Sequence, residues 1–221
     1  MPGSSGIHGP STAAAFLPAR LSLKGLREAA AGCRACPLYL RATQTVFGDG
    51  LARAEVMAVG EQPGDQEDRQ GHPFVGPAGR VLQDGFARAG IAPDTVYVTN
   101  VVKHFKWTER GKRRIHQRPN RDEIEACHPW LEAELTVVAP RALLLLGATA
   151  AQALLGPSFR VSRERGRLLS SDLAPIVLAT VHPASVLRAG DDREDAMDAF
   201  VDDLTALADA LGTDTTRSRG G

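Results

Sequence analysis

Three groups of residues in the 221-residue chain have the types and spacing that chemistry requires. The first sits just past apolar runs. Glu61 and Gln62 follow Glu55-Val56-Met57-Ala58-Val59, Asn100 closes a β-rich run from Thr95, and His182 follows Ile176 to Val181. A carboxylate, amides and an imidazole delivered at strand ends can converge, because parallel strands share one carboxyl edge where ligands bind. The stretch from Gly60 to Arg80, GEQPGDQEDRQGHPFVGPAGR, adds Gly64, Asp65, Asp68 and Phe74 as candidates for a pocket wall. Loops this long more often carry function than serve as idle connections. The second group is Cys33-Arg34-Ala35-Cys36 with Cys127. In an intracellular chain such a pair favours metal or redox chemistry over a structural disulfide. The third is the stretch from Lys103 to Arg118. It holds seven basic residues against one acid, Glu109, with Phe105, Trp107 and His116 among them. Basic groups follow phosphates while aromatic rings stack on exposed bases, the pattern of single-strand binding.

The elements that must position these groups follow from periodicity. Apolar runs at 55–60, 95–100, 142–146 and 176–181 predict four strands, the third fully apolar as a buried parallel strand should be. Helices are expected near 21–30 with Ser22 as cap, at 77–89 and 148–155, and from Asn120 to Thr136. Asn120 and Glu123 there form a capping-box pattern. A last helix from about Arg193 to Leu211 buries Met197, Phe200, Leu204 and Leu207 at helical spacing and should stop at Gly212. Strands alternating with helices predict an α/β domain, three-layer α/β/α around a four-stranded parallel sheet. Residues 1–20 are expected to be flexible, 21–212 to form the domain and 213–221 to be a disordered tail. No internal repeat is visible.

The motifs GEQPGDQED with GHPFVGPAG, then TNVVKH, then TVHPASVLR, resemble those of the uracil-DNA glycosylase superfamily, family 4 branch. The insertion Gly111-Lys112-Arg113-Arg114-Ile115-His116, and Gln62 in the first motif, are similar to its UdgX subgroup. The resemblance spans about residues 24–211 and implies that uracil is excised from DNA, with Glu61, His116 and His182 as catalytic residues. It implies that Phe74 stacks on the flipped base, that Asn100 reads its edge, and that Gln62, Gly64 and Asp65 line the base site. Asn100 matches uracil O4 and N3–H and mismatches the cytosine amine. His182 can donate to uracil O2 as negative charge develops there. As plain structural residues, Phe74 would be core, Asn100 a turn former or cap, and His182 a packing residue before proline. In the UdgX subgroup the residue matching His116 attacks the sugar C1′, so the protein stays covalently on the DNA. Here Glu61 is expected to hydrogen-bond His116 and keep a ring nitrogen nucleophilic. Otherwise His116 is a phosphate contact in a basic loop. Lys103, Lys112, Arg113, Arg114, Ser185 and Arg188 are the expected DNA-binding residues, with Leu187 and Arg188 candidates for a wedge.

Family 4 members carry a 4Fe–4S cluster on four cysteines, the third in a VVKC-like string that here reads Val101-Val102-Lys103-His104. The ligands implied are therefore Cys33, Cys36, His104 and Cys127, since imidazole can replace a thiolate. Zinc on three cysteines and a histidine is a chemical alternative, and His128 a rival fourth ligand.

A formal net charge of zero argues against a wholesale polyanion binder but leaves room for a local basic patch. No apolar run approaches the ~20 residues that span a bilayer, and MPGSSGIHGP lacks the apolar core of a secretory leader. A monomeric, cytoplasmic protein acting on uracil-containing single-stranded DNA is expected, away from membranes. Two rivals stand beside capture by His116: a conventional glycosylase leaving an abasic site, and a non-catalytic iron–sulfur DNA-binding module. The joint presence of Glu61, Asn100 and His182 opposes the second.

Overall fold

The computed structural model describes residues 12–218. In chain order the helices are α1 Leu23–Ala30, α2 Asp65–Gln70, α3 Pro77–Arg88, α4 Arg121–Val138, α5 Ala148–Leu155, α6 Val161–Glu164, α7 Pro183–Leu187 and α8 Arg193–Ser218. The strands are β1 Val56–Gly60, β2 Val96–Asn100, β3 Trp107–Arg110, β4 Arg113–His116, β5 Ala142–Leu146, β6 Leu168–Leu169 and β7 Ile176–Thr180. The central sheet runs β2-β1-β5-β7-β6. Its first four strands are parallel, and β6 pairs antiparallel with β7 at the edge. The four expected strands are therefore joined by a two-residue fifth, too short to leave a periodic trace.

Each parallel strand is buried on both faces, and alternate residues serve different layers. Met57, Val59, Tyr97, Leu143, Leu145, Val177 and Ala179 face one core, with Trp130 and Leu131 of α4 and Leu26 of α1. Val56, Ala58, Val96, Leu144, Leu146, Ile176 and Leu178 face the other, with Leu82 and Phe86 of α3 and Phe200, Leu204 and Leu207 of α8. The crossover from β1 to β2 uses α3 and that from β2 to β5 uses α4, on opposite faces. The winding direction therefore reverses at β1 and β5, where open α/β sheets bind ligands.

The helix caps follow the sequence. The Ser22 side chain accepts from Gly25 N at 3.1 Å. Asn120 and Glu123 exchange their capping bonds at 2.9 and 2.7 Å.

Four features differ from expectation. The Gly60–Arg80 loop contains α2, six residues without one apolar side chain. The basic stretch folds as an antiparallel hairpin, β3–β4, turning at Gly111 with φ +60°. Helix α8 continues through Gly212 to Ser218, since one glycine costs a long helix only about 1 kcal/mol. The segment Ala13–Phe16, within the stretch expected to be flexible, forms a 3₁₀ turn with Ala13 fully buried in the first core. The rest of that expectation, residues 1–11, and the last three residues of the tail, 219–221, lie outside the described residues. No helix among the described residues is long and apolar enough to cross a membrane.

Candidate active site

A cleft of about 650 Å³ opens at the carboxyl ends of β1, β2, β5 and β7. Glu61, Phe74, Asn100, His116, His182 and Arg188 line it together with Gln62, Gly64 and Asp65. The residues named from strand ends and from the basic stretch thus meet in one place.

Its floor depends on close backbone approach. A Cβ at Gly60 would fall 2.5 Å from Asn100 Oδ1 and 2.8 Å from Phe74 Cζ, so only glycine lets ring and amide meet at the end of β1. Phe74 itself has φ +57°, uncommon for a bulky residue. Its carbonyl occupies the space beside Gly79 that any side chain there would need. Asn100 is almost fully buried, yet its side-chain amide has no hydrogen-bond partner among the described residues while lining the cleft. An amide held open toward a cavity can read the donor–acceptor edge of a planar ligand.

His182 caps α7, its Nδ1 accepting from Ala184 N at 3.1 Å. Burial, then the charge of Arg188 and of His116, depresses its pKa to about 4. The ring is therefore neutral at pH 7 with its proton on Nε2, which makes it a hydrogen-bond donor. Its plane lies 26° from that of Phe74, with centroids 6.4 Å apart. Ser185 Oγ donates to His182 O at 2.7 Å, so its hydroxyl proton is engaged within the α7 turn.

His116 ends β4 with its Nε2 3.4 Å from Glu61 Oε1. Burial lowers its pKa; the Glu61 carboxylate works against that and Arg188 reinforces it. The net effect favours the neutral, nucleophilic ring. Phe105 supports it from behind, with centroids 6.1 Å apart.

The hairpin that carries His116 is fastened at several points. Gln62 Nε2 donates to Gln117 O at 2.9 Å and to Lys106 O at 3.3 Å, while its Oε1 accepts from Lys106 N at 3.0 Å. Its amide is thus bonded to the hairpin root while the residue also lines the cleft. Arg114 Nη1 donates to Asp68 at 2.6 Å and its Nε to Asp65, and its guanidinium lies 5.4 Å from the Phe105 and Trp107 ring centroids. This residue clamps the hairpin to α2 and is not a free cation for phosphate. Asp65 is the other half of the clamp and also lines the cleft. Burial would raise its pKa, but hydrogen bonds from Arg69 and Arg114 lower it on balance. Buried Asp68 also accepts from Thr43 N and Thr43 Oγ1, at 2.9 and 2.6 Å. Trp107 Nε1 donates to Arg41 O at 2.9 Å, so this aromatic too is committed.

Lys103 is a further correction. It is 1% exposed, with Nζ bonded to Glu134 at 2.5 Å, Thr99 Oγ1 at 2.7 Å and Asn100 O at 2.6 Å. No phosphate can reach it. Lys112 and Arg113, at the hairpin tip, are exposed, and Arg188 lines the cleft. Of the six expected DNA contacts, Lys112, Arg113 and Arg188 have exposed side chains.

The chain belongs to the uracil-DNA glycosylase superfamily. The family model "Uracil DNA glycosylase superfamily" matches residues 47–205. The chain is 35% identical over 175 residues to the type-4 uracil-DNA glycosylase of Pyrobaculum aerophilum, covering 76% of this chain and 86% of that one. It is 35% identical to the protein of the same name from Thermotoga maritima, over 71% and 78% of the two chains. To that of Archaeoglobus fulgidus it is again 35% identical, over 70% and 78%. Among superfamily members it therefore stands with the type-4 family.

The cysteines belong to the core that α1 and α4 form against the sheet. Cys33 and Cys127 are buried and Cys36 partly so. Cys33 Sγ accepts from Trp130 Nε1 and Cys127 Sγ from Lys103 N, both at 3.3 Å. Burial pushes Cys127 up to about 12 against the opposing pull of Lys103, and raises Cys36 with Cys33 adding to the effect. The three thiols thus sense one another inside an apolar wall with N–H donors aimed at sulfur, an environment that suits cluster ligands. Among the described residues, however, no three or more His, Cys, Asp or Glu gather around the position of a single metal ion. His104 is buried, with Nε2 3.0 Å from Thr45 Oγ1, and burial lowers its pKa to about 4 against the pull of Asp68. His128 Nε2 faces Glu132 at 3.4 Å. Among the described residues the expected cluster ligands Cys33, Cys36, His104 and Cys127 are thus not gathered into a group that could hold a metal.

One residue of the cleft, Thr149, and the bond that ties Arg118 to it went unnoticed in the sequence. Thr149 donates to Glu61 Oε2, and Arg118 Nε donates to Thr149 Oγ1 at 3.1 Å. Thr149 follows the end of β5, the one strand end that offered no charged or aromatic residue to draw attention. The Gly147 that breaks the apolar run was the available signal.

Proposed function

We propose that this chain excises uracil from single-stranded DNA and then captures the vacated deoxyribose C1′ on His116, in the manner of the UdgX subgroup. The observation that carries the reading is a neutral imidazole, fixed by a clamped hairpin, 3.4 Å from a carboxylate in the cleft that holds an open amide and a histidine donor. Membership of the type-4 family supports the excision half of this reading.

A flipped uracil would stack on Phe74 and present O4 and N3–H to Asn100. The C1′–N1 bond breaks with its electron pair leaving on the base, and the Nε2–H of His182 hydrogen-bonds to O2 as negative charge collects there. Positive charge grows on the sugar beside Glu61. The unprotonated nitrogen of His116 donates its lone pair to C1′. The imidazolium so formed sheds its other N–H proton to water, and the uracil anion takes up a proton from water. Lys112, Arg113 and Arg188 would meet the phosphates flanking the site.

Cys33, Cys36 and Cys127, with His104 as fourth, would hold a 4Fe–4S cluster whose contribution is structural. It would tie α1 to α4 and to the segment that follows β2. The protein acts in this reading as a cytoplasmic monomer.

The test is a reaction with a single-stranded, uracil-containing oligonucleotide, boiled in detergent and run on a denaturing gel. A slow-migrating protein–DNA band is expected, and His116→Ser should remove it. Free uracil released over many turnovers with no such band overturns the capture step and leaves a conventional glycosylase. Intact uracil together with salt-dependent binding leaves a binding module.

A further inference from the structure

The direction of the hydrogen bonds around Glu61 is fixed by donor inventory. A guanidinium can only donate, and a hydroxyl has one proton. Because Thr149 Oγ1 accepts from Arg118 Nε at 3.1 Å, its proton is free for Glu61 Oε2, to which it donates. Arg118 is itself steadied by Gln152 Oε1 at 3.3 Å. Thr149 is 4% exposed and sits in the first turn of α5, so its side chain is held by the scaffold and not by the hairpin. With Oε2 engaged, the other carboxylate oxygen, Oε1, is the one turned to His116.

We infer that Thr149, oriented by Arg118, is a positioning residue that decides which face of Glu61 meets His116 and the reacting sugar. The inference rests on the capture reading above. Without the hydroxyl, Glu61 is free to swing toward Arg118, whose Nε already lies 3.9 Å from Oε2. The imidazole would then lose the partner that sets its orientation. The charged and titratable groups around that ring are Glu61 after β1, Arg118 before α4, and His182 and Arg188 at the two ends of α7. Removing a hydroxyl from Thr149 leaves all four in place, so a change in pH profile reports geometry and not lost charge.

The experiment uses the full chain and a single-stranded uracil oligonucleotide under single-turnover conditions, with free uracil and covalent adduct quantified separately from pH 5.5 to 8.5. Misplacement of a reacting group by about 1 Å can cost on the order of a hundredfold. Thr149→Val should slow adduct formation roughly ten- to a hundredfold and move its pH profile, while binding of a non-cleavable oligonucleotide stays within about twofold. Thr149→Ser should restore the profile. Arg118→Met, at a side chain 60% exposed and outside the core, should give a smaller loss of the same kind and serves if Thr149→Val fails to fold. Wild-type rates and pH profile in Thr149→Val, or equal losses in the Val and Ser variants, overturn the inference. A wild-type chain that releases uracil without adduct overturns the capture reading instead. Slowed uracil release in Thr149→Val would then still support the placement of Glu61.

Discussion

Lys103→Met separates two roles for one lysine. In the sequence this residue heads a basic stretch and belongs with the phosphate contacts. In the fold it is buried against Glu134, a carboxylate with no exposure, which also accepts from Tyr97 Oη at 2.8 Å and Thr99 Oγ1 at 2.9 Å. Burial, then that carboxylate, holds the Tyr97 phenol far above its usual range, so it stays a donor. Removing the ammonium leaves Glu134 Oε2 and the carbonyl of Asn100 without a donor each. Breaking one side of a buried ion pair costs about 3–5 kcal/mol. For a chain of this size each kcal/mol moves Tm by about 2–4 °C, so a drop of roughly 6–20 °C is expected. Lys103→Met/Glu134→Leu should recover only part of it: the stranded charge is gone, but Tyr97 Oη, Thr99 Oγ1 and Gly48 N lose their acceptor. The paired assay is single-strand affinity against salt. Each phosphate contact contributes about 0.7 to the slope of log K on log salt. The slope of the folded Lys103→Met variant should match wild type, whereas Lys112→Ala or Arg113→Ala should lower it. An unchanged Tm with a slope reduced by about 0.7 would refute the buried role and return Lys103 to the DNA face.

Two further outcomes follow from the site. Capture needs the neutral form of His116, whose pKa lies below the ordinary imidazole value. Adduct formation should therefore be flat near neutral pH and fall as pH drops through that lowered value, followed as initial band intensity; a rate that rises on acidification would remove His116 as nucleophile. Arg114→Ala should unfasten the hairpin from Asp65 and Asp68, so the adduct yield falls at least tenfold while uracil release persists, the rough scale of a displaced reacting group. Equal loss of both products, measured together, would place Arg114 in the base site instead.

What the sequence revealed was what hydrophobic periodicity and capping reveal. Val56–Gly60, Ala142–Leu146 and Ile176–Thr180 are largely apolar strands, Val96–Asn100 is a β-rich one, and Ser22 and Asn120 cap as their side chains dictate. The convergence of Glu61, Asn100 and His182 followed from strand ends alone. The hairpin escaped because Trp107–Arg110 and Arg113–His116 are largely exposed, leaving no apolar alternation to betray a strand. Helix α2 escaped because its buried residues are Glu67 and Asp68, held by hydrogen bonds and not by apolar contact. The polar residues that the fold ties down share one feature. Lys103, Gln62, Asp65 and Arg114 are polar groups whose partners lie far along the chain, 31 to 55 residues away for the bonds that decide them. Residue type gives the capacity to bind phosphate or base; which partner claims that capacity is settled only by tertiary contact.

That distinction bears on how capture could be added to excision. The base-reading half of the cleft is built from the sheet: Gly60 admits Asn100 and Phe74, and His182 takes its tautomer from the α7 cap. None of these contacts involves the hairpin. His116, the proposed nucleophile, arrives on a separate two-stranded sheet, attached to α2 through Arg114 and to the first motif through Gln62. Only Glu61 belongs to both halves, with one oxygen tied to the scaffold at Thr149 and the other turned to His116. A carboxylate so divided can steady a cationic sugar whether water or imidazole completes the reaction. Under the proposed capture, the fate of the sugar would be decided by whether the hairpin holds its ring in place, and that would rest on Arg114 and Gln62.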